Sequence, residues 1–218
     1  MPKSHGSLGL STGIAIASLD IRYTERYIGW VDSKEEILSR ALELFSSRGY
    51  DGVGVQEIVE AAGVTKPTLY HHFGSKLGLL QSLLALHYEK LNAGVRTAAE
   101  YHRDLPLTLR NVVKAFFRFA REDPIFYRMQ LSMYFAPVES DAYREVVALN
   151  RGLSTILQDL FLRAAADHGN MRGRHVLYGT TFLGVINHCI GLGLNGYLSL
   201  DDGLVEKVVH QFEHGIYS

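Results

Sequence analysis

The sequence predicts an all-α protein, with a small helix-turn-helix unit near the N-terminus and a larger helical domain after it. Apolar residues recur over most of the chain at a spacing of about 3.6 residues, the repeat of an α-helix. Helix-capping residues precede these runs, and glycine or proline ends them. No segment alternates apolar and polar residues between hairpin turns, so strands are not expected.

Composition narrows the class of protein. The 218 residues carry a net charge of −1, so affinity for nucleic acid has to come from a local surface and not from a general basic field. The single cysteine, Cys189, excludes an internal disulfide framework and fits a cytoplasmic location. Residues 1–30 lack a convincing signal-peptide pattern, and we expect them to form a flexible or partly helical arm.

The first clear helix is predicted from Lys34 to Arg48. Ser33 followed by Glu36 forms a capping-box pattern, and Gly49 suits the end of a helix. The predicted buried stripe is Ile37, Ala41, Leu44 and Phe45.

Two short helices are predicted next, at about 55–62 and 66–72, with a tight turn at Gly63. Glycine adopts a positive φ there without steric cost. Thr65 is placed to cap the second helix, and Pro67 lies in its first turn, where a proline loses no intrahelical hydrogen bond. A short helix after such a turn, with hydroxyl, lysine, phenol and imidazole groups on its open face, is typical of a recognition helix for the DNA major groove.

Ser75 is placed to cap a longer helix, from 76 to about 100, that leaves this unit. The remaining predicted helices are Leu107–Glu122, Ile125–Phe135, Ser140 to about His168, Arg174–Leu198 and Leu204–Tyr217.

A longer motif makes the DNA-binding interpretation specific. The run AAGVTKPTLYHHF at 61–73, with Ser75 and Lys76 after it, resembles the DNA-binding signature of the TetR (tetracycline-repressor-like) family of transcriptional regulators. The resemblance covers roughly residues 32–84. It implies an N-terminal three-helix DNA-binding domain and a C-terminal helical domain that binds an effector and dimerises.

Three positions depart from the family pattern. Gly54 stands where the family usually has Ser or Thr to cap the second helix, and Pro67 stands at a position more often Gly or Ala. Gly78 follows Leu77 where an acidic residue is common. The first departure weakens a cap, and none removes an expected DNA contact. We place the DNA-binding domain at 31–80 and the effector-binding and dimerisation domain at 81–218.

The expected DNA-contacting residues are Gln56, Thr65, Lys66, Pro67, Thr68, Tyr70, His71, His72 and Lys76. By resemblance, Tyr70 and His71 fit positions that touch phosphates or base edges, and Thr68 and Lys66 fit positions that vary operator choice. Lys76, just inside a helix start, is expected to clamp a phosphate together with backbone N–H groups. The alternative is an ordinary solvated helix face.

Aromatic and methionine residues are concentrated in the middle helices. Such a stripe is more often plain core than a pocket, but the resemblance implies a ligand cavity between these helices and the penultimate one. Met adapts to varied shapes and Tyr adds a polar tip to an apolar wall. We therefore expect a small apolar or aromatic effector bound by Phe116, Phe119, Tyr127, Met133, Tyr134, Tyr178, Phe182 and His188.

The segment 175–200 contains no Asp, Glu, Lys or Arg, and it is long enough to cross a membrane. It also carries several glycines and polar residues, including Asn187 and Asn195, and has no basic flank after it. A helix buried in the core and at a subunit interface explains it better. The resemblance agrees, since the last two long helices of the family usually form a four-helix dimer bundle. We expect a homodimer and no membrane.

Metal and catalytic patterns are not found. His71 and His72 are adjacent, and neighbouring helical positions point about 100° apart, which is poor geometry for sharing an ion. No nucleophile–base set and no phosphate-binding glycine loop stands out, so we expect no metal, no cofactor and no enzymatic activity. The preferred function is a ligand-responsive regulator, expected to repress from a palindromic operator. The alternative is a helical small-molecule-binding protein or enzyme with a vestigial helix-turn-helix.

Overall fold

The computed structural model describes residues 33–215. Within this range the chain is helical and contains no strand, which confirms the predicted fold class. The helices, in chain order, are α1 at 33–48, α2 Val55–Ala61, α3 Lys66–Phe73, α4 Lys76–Ala98, α5 Leu105–Glu122, α6 Pro124–Tyr134, α7 Asp141–Ala164, α8 His175–Leu194 and α9 Asp202–His214, with a short 3-10 turn at Gly169–Met171 between α7 and α8.

The helix-turn-helix of α2 and α3 forms as predicted. Gly63 has φ 64°, so the turn uses the left-handed region that glycine tolerates. Thr65 caps α3, its hydroxyl oxygen accepting a hydrogen bond from the Thr68 N–H. Leu69 and Phe73, four residues apart, are buried on the inner face of α3.

The start of α2 lacks a Ser or Thr cap and is held by Glu57. The N–H of Gly54 donates to Oε2 of Glu57 at 2.9 Å. Oε1 of Glu57 also accepts from Arg48 at 2.7 Å, which ties the end of α1 to α2. The Gly54 N–H, followed by the Arg48 guanidinium, lowers the pKa of Glu57. Glu57 therefore makes its own half of a capping box, and the half that a hydroxyl at residue 54 would make is missing.

The corner between α3 and α4 explains Gly78. Ser75 caps α4, accepting from the Gly78 N–H at 2.9 Å. A Cβ on Gly78 would lie 2.0 Å from the carbonyl oxygen of Phe73, which no side chain tolerates. This chain therefore cannot carry the acidic residue common at that position without moving the corner.

One hydrophobic core runs through all the helices. It includes Ile37 of α1 and Val209 of α9, and it is continuous through α4, which buries Leu80 and Leu91. The domain boundary proposed after residue 80 falls inside α4, so the two parts share this helix.

The C-terminal part is a bundle in which α7 and α8 form the most extensive helix pair, and α5 packs against α4 and α9. The close approach of α7 and α8 depends on Gly179, because a Cβ there would lie 2.8 Å from the backbone nitrogen of Gln158. The aromatic rings of Phe161, Phe182 and Phe212 meet where α7, α8 and α9 converge, with Phe182 and Phe212 centroids 4.8 Å apart.

The predicted helices match those observed to within a few residues. α5 begins at Leu105, earlier than expected, because Asp104 caps it and Pro106 fits its first turn. α8 ends at Leu194, before the expected end at Leu198. The predicted arm at 1–30 lies outside the described residues.

Candidate DNA-binding surface and ligand cleft

The outer face of α3 presents the side chains predicted to read DNA. Lys66, Pro67, Tyr70 and His71 are exposed, and 47% of the Tyr70 surface is open to solvent. The buried Leu69 and Phe73 fix the rotation of α3 about its axis, so this polar face points away from the core. The arrangement gives a protruding helix with donors and one cation, the form in which helix-turn-helix proteins enter a major groove.

The hydroxyl groups at the start of α3 contact each other. Thr65 Oγ1 and Thr68 Oγ1 are 2.9 Å apart, so one donates to the other. Thr65 is therefore occupied in capping, and Thr68 is half-buried with its methyl group still available to a base. Gln56, exposed at the start of α2, donates to Glu60 at 2.6 Å.

The second histidine of α3 lies beside another cation. Burial lowers the pKa of His72, and the charges of His71 and Lys34 lower it further. Lys34 is exposed near the start of α1 and lies close enough to His72 to lower its pKa. Sequence analysis missed Lys34, because only the packing of α1 against α3 brings it there.

Lys76 does not occupy the position expected of a phosphate clamp. Its Nζ donates to the carbonyl oxygen of Val53 at 2.7 Å and lies 4.1 Å from the ring centroid of Tyr50. Burial lowers the pKa of Lys76, while the carboxylates of Asp51, Asp141 and Glu57 oppose that shift. Lys76 thus ties the start of α4 to the loop before α2, and its role as a phosphate clamp stays a prediction.

A cleft of about 730 Å³ lies between α6, α7 and α8, within the size range of small-molecule sites. Its lining contains no Asp or Glu. The lining residues are Gln130, Leu131, Tyr134, Phe135, Val147, Asn150, Arg151, Ser154, Thr180, Leu183, Gly184, Asn187, His188, Gly191, Leu192 and Asn195.

The cleft contains two of the residues predicted to bind a ligand, Tyr134 and His188. The other six do not line it. Phe116, Phe119, Tyr127, Met133 and Phe182 are at most 8% exposed and pack in the core, and half-buried Tyr178 packs on Phe161 and Phe212. The aromatic rings among them fill space between helices by contacts with one another, as Phe119 does with Tyr127 at 6.2 Å, and their part in ligand binding stays a prediction.

The polar lining of the cleft was not predicted. Gln130, Asn150 and Asn187 come from three different helices, and Arg151 lies beside Asn150 on α7. The available signal was weak, namely amide side chains inside strongly apolar stretches of α6 and α8. Amide side chains in such apolar surroundings are expected to have hydrogen-bond partners.

The outer face of α8 is apolar and exposed. Val176 and Leu177 are 52% and 61% exposed, and Val185 is 37% exposed. Only 22% of the most apolar stretch of α8 is buried, and among the described residues α8 is the one helix whose length and composition would suit a membrane span. Within the same part of the chain no group of three His, Cys, Asp or Glu is placed to hold a metal ion.

Comparison with known proteins gives a family match for the N-terminal part of the chain. Residues 37–83 match the family described as bacterial regulatory proteins, tetR family. The helix-turn-helix part of this chain is therefore similar to the DNA-binding domain of the TetR family. The match confirms the resemblance found in the motif at 61–73, and it covers α2, α3 and most of α1.

Two TetR-type relatives are similar over part of their length. The transcriptional activator FasR of Mycolicibacterium smegmatis is 42% identical over 98 residues, which is 45% of each chain. The negative transcriptional regulator IcaR of the biofilm operon icaADBC of Staphylococcus aureus is 34% identical over 59 residues, 27% of this chain and 32% of IcaR. The chain thus spans less than half the length of these relatives.

Solved TetR structures share the whole fold. PfmR of Thermus thermophilus is 26% identical with a TM-score of 0.66, covering 84% of this chain and 99% of PfmR. FadR of Bacillus subtilis, solved with stearoyl-CoA, is 19% identical with a TM-score of 0.70, covering 84% of this chain and 99% of FadR. At that identity the likeness to FadR shows the fold alone.

Proposed function

We propose that this chain is a transcriptional regulator that binds a palindromic operator as a homodimer and changes its DNA affinity when a small apolar effector binds. The observation that carries the proposal is the outward face of α3. It presents Lys66, Tyr70 and His71 to solvent, on a helix-turn-helix that matches the TetR family. Burial of Leu69 and Phe73 makes this face a fixed feature of the fold.

The apolar face of α8 supports the homodimer. Exposed apolar residues that form a contiguous surface mark an interaction site. Val176, Leu177 and Val185 are exposed apolar residues on a helix without acidic or basic residues other than His175 and His188. Thr180 and Gly184 of the same helix line the cleft, so a partner seated on α8 also covers the open side of the cleft.

The cleft supports the effector part of the proposal. Its volume of about 730 Å³ holds a small molecule, and Leu131, Phe135 and Leu183 give it apolar walls. FadR of B. subtilis was solved with stearoyl-CoA, and that protein shares this fold. A long acyl compound is therefore the first class of effector to test.

Occupation of the cleft acts on DNA binding through a population shift. Ligand binding favours the conformations that fit the ligand, and the two recognition helices of a dimer then take a spacing that no longer matches successive major grooves. The shared helix α4 joins the two parts, since it begins at the corner with α3 and packs against α5 and α7 beside the cleft.

The proposal also covers whether the protein represses or activates and where in the cell it acts. The named relatives include an activator, FasR, and a negative regulator, IcaR. We propose repression, because it requires only that the operator be occupied. A role as DNA-binding regulator without enzymatic activity places the protein in the cytoplasm, where its DNA lies.

A gel-shift titration with the DNA upstream of its own gene tests the proposal. The wild type should give one saturable complex with a palindromic site, and Tyr70→Ala should weaken it by about tenfold or more, as expected for loss of a base or phosphate contact. Tyr101→Ala, a half-buried tyrosine remote from α3, is the control. A wild type that binds upstream and random DNA equally weakly supports the alternative, a small-molecule-binding protein with a vestigial helix-turn-helix.

A further inference from the structure

Three amide side chains lie side by side in the cleft, and their hydrogen bonds fix which atoms face a ligand. Gln130 is only 3% exposed, while Asn150 and Asn187 are half-buried. Gln130 and Asn150 hydrogen-bond with the buried Tyr88 hydroxyl, and Asn187 does so with the buried Tyr127 hydroxyl. None of the three amide nitrogens has a protein acceptor within the described residues, and none is a buried atom without a partner. An NH2 group that is not turned to a tyrosine therefore faces the open space of the cleft.

The orientation of Asn187 is fixed by Tyr127. The Tyr127 hydroxyl donates to Oδ1 of Asn187 at 2.6 Å. Burial raises the pKa of Tyr127 well above its ordinary value, so the hydroxyl keeps its proton and can donate it to Asn187. Oδ1 of Asn187 is then the acceptor, and its NH2 group is directed away from Tyr127 as a donor.

Tyr88 orders the other two amides. Its hydroxyl lies 3.0 Å from Oε1 of Gln130 and 3.0 Å from Oδ1 of Asn150. Burial also raises the pKa of Tyr88, so the hydroxyl has one proton and can donate to one oxygen only. The other amide turns its nitrogen to the tyrosine oxygen, since amide nitrogen and oxygen positions follow the hydrogen bonds. One NH2 group of this pair remains directed to the cleft.

The charged and hydroxyl groups of the cleft are also donors. Arg151 lines the cleft and has no carboxylate within 4.0 Å among residues 33–215. Ser154 accepts from Gln158 at 2.8 Å, so its own proton is available to another acceptor. With no Asp or Glu in the lining, the cleft offers a ligand one cation and several donors beside the one amide oxygen that the Gln130–Asn150 pair leaves free, and it disfavours a positively charged ligand.

We propose that the cleft binds an amphiphile with an apolar body and a carbonyl or carboxylate head group, the head accepting hydrogen bonds from the NH2 of Asn187, from an NH2 of the Gln130–Asn150 pair, and from Arg151. This rests on the proposed role of the cleft as the effector site. A free acid and an acyl thioester both have an acyl oxygen that can accept these hydrogen bonds. In the free acid it belongs to a carboxylate, and in the thioester it belongs to a carbonyl group. Leu131, Phe135 and Leu183 contact the apolar body.

Calorimetry with four probes of one chain length tests the head group: decanoate, decanoyl-CoA, decanol and decylamine. Decanoate or decanoyl-CoA should bind about tenfold or more tightly than decanol, the loss expected for a charge-assisted hydrogen bond. Decylamine should bind weakest. The tighter of the two acyl probes identifies the source of the acyl group. Decanol or decylamine binding as tightly as both acyl probes, or no binding by any probe, overturns the proposal.

Two variants connect the selectivity to the named residues. Asn187→Asp keeps an acceptor for Tyr127 but replaces the NH2 donor with a negatively charged oxygen, so decanoate affinity should fall about tenfold and decylamine affinity should rise. Arg151→Met should also weaken decanoate, and because Arg151 is exposed this variant folds even if Asn187→Asp does not. Arg172→Gln, exposed and outside the cleft, should bind decanoate like the wild type. Unchanged selectivity in both cleft variants overturns the assignment.

Operator binding is measured in the same samples without probe. Operator binding with the wrong probe selectivity overturns the head-group inference and leaves the regulator intact. The expected selectivity without operator binding supports the head-group inference and removes the proposed function.

Discussion

At the scale of single residues, two lysines that look alike in the motif have different surroundings. Lys66 is exposed at the start of α3, while Lys76 has its Nζ bound to Val53 and placed over the Tyr50 ring. The sequence identifies both as cations near the recognition helix. It cannot show that the loop before α2 folds back to accept one of them, because that contact joins residues 23 positions apart.

Lys66→Ala should therefore impair DNA binding, and Lys76→Met should impair the stability of the fold. Lys66→Ala should weaken binding to operator and random DNA and lower the salt slope by about 0.9, the value for one lost phosphate contact. Lys76→Met should leave the slope unchanged and destabilise the fold by about 1–3 kcal/mol, because the Val53 carbonyl loses its donor. Salt titrations and thermal melts separate the two, with exposed Lys90→Ala as control. A lower slope in Lys76→Met would restore its role as a phosphate clamp.

His72 should give DNA binding a pH dependence. Burial and then the nearby His71 and Lys34 charges lower its pKa, so it is neutral at pH 7 in the free protein. DNA phosphates favour the imidazolium, so operator affinity should rise as the pH falls from about 7.5 to about 6, and His72→Gln should reduce this rise. Anisotropy titrations across that range measure it, with exposed His102→Gln as control. A pH dependence identical in wild type and His72→Gln would remove His72 from the interface.

The His72 imidazole should make the fold less stable as the pH falls, although the same fall in pH strengthens operator binding. A lowered pKa in the fold means that the unfolded chain binds more protons at mildly acidic pH. The contribution of His72 to stability is then complete above about pH 6.5, the ordinary pKa of histidine, and is lost as the pH falls through its folded value. The protein should bind operator better in mild acid while its melting temperature falls.

At the scale of helices, the boundaries follow from the sequence and the lining of the cleft does not. Caps such as Thr65 and Ser75 and the glycine turn at Gly63 act within a few residues of chain, so their effect is readable locally. The lining depends on how α6, α7 and α8 rotate against each other. On α6, Met133 turns into the core and its neighbour Tyr134 turns to the cleft. Composition makes both residues candidates for the ligand site, and it cannot show which of them faces the cleft.

The α3–α4 corner should not tolerate a side chain at residue 78. Gly78→Ala places a Cβ 2.0 Å from the Phe73 oxygen, so the corner must shift, at a cost of about 1–3 kcal/mol and with weaker operator binding. Gly152→Ala is the matched control, since this glycine lies inside α7 with nothing within 4 Å of an added Cβ. That variant should be up to about 1 kcal/mol more stable than the wild type. Urea unfolding of both gives the comparison, and equal stability would show that the corner adapts.

At the scale of the whole molecule, the exposed apolar residues of α8 support the proposed homodimer. A charge-free helix could be a core helix, a membrane span or an interface helix, and its sequence leaves these open. The fold shows that one side of α8 packs on α7 and the other remains exposed in the protomer. The DNA-binding interpretation agrees with an interface, because palindromic sites are read by two copies.

Leu177→Arg should separate folding from association. Leu177 is 61% exposed and does not line the cleft, so a charge there leaves the protomer folded but disrupts a surface buried between copies. Light scattering should show a dimer for the wild type and a monomer for the variant. Operator affinity should fall by about a hundredfold, because the two half-sites are no longer bound together. Leu107→Arg, 52% exposed on α5, should remain dimeric. A wild type that is monomeric at micromolar concentration removes both the interface and the palindrome.

The unbroken helix α4 also limits how such a protein can be rebuilt. If the chain is joined to another sensor domain before Lys76, the DNA-binding part loses Leu79 and Leu80 from its core. If it is joined after Ala98, the hybrid keeps α4, whose side chains fit this bundle and not the new one. There is no linker at which one sensor can be exchanged for another within residues 33–215. New effector specificity is therefore gained more readily by replacing side chains in place, such as the amides around Tyr88, than by exchanging whole modules.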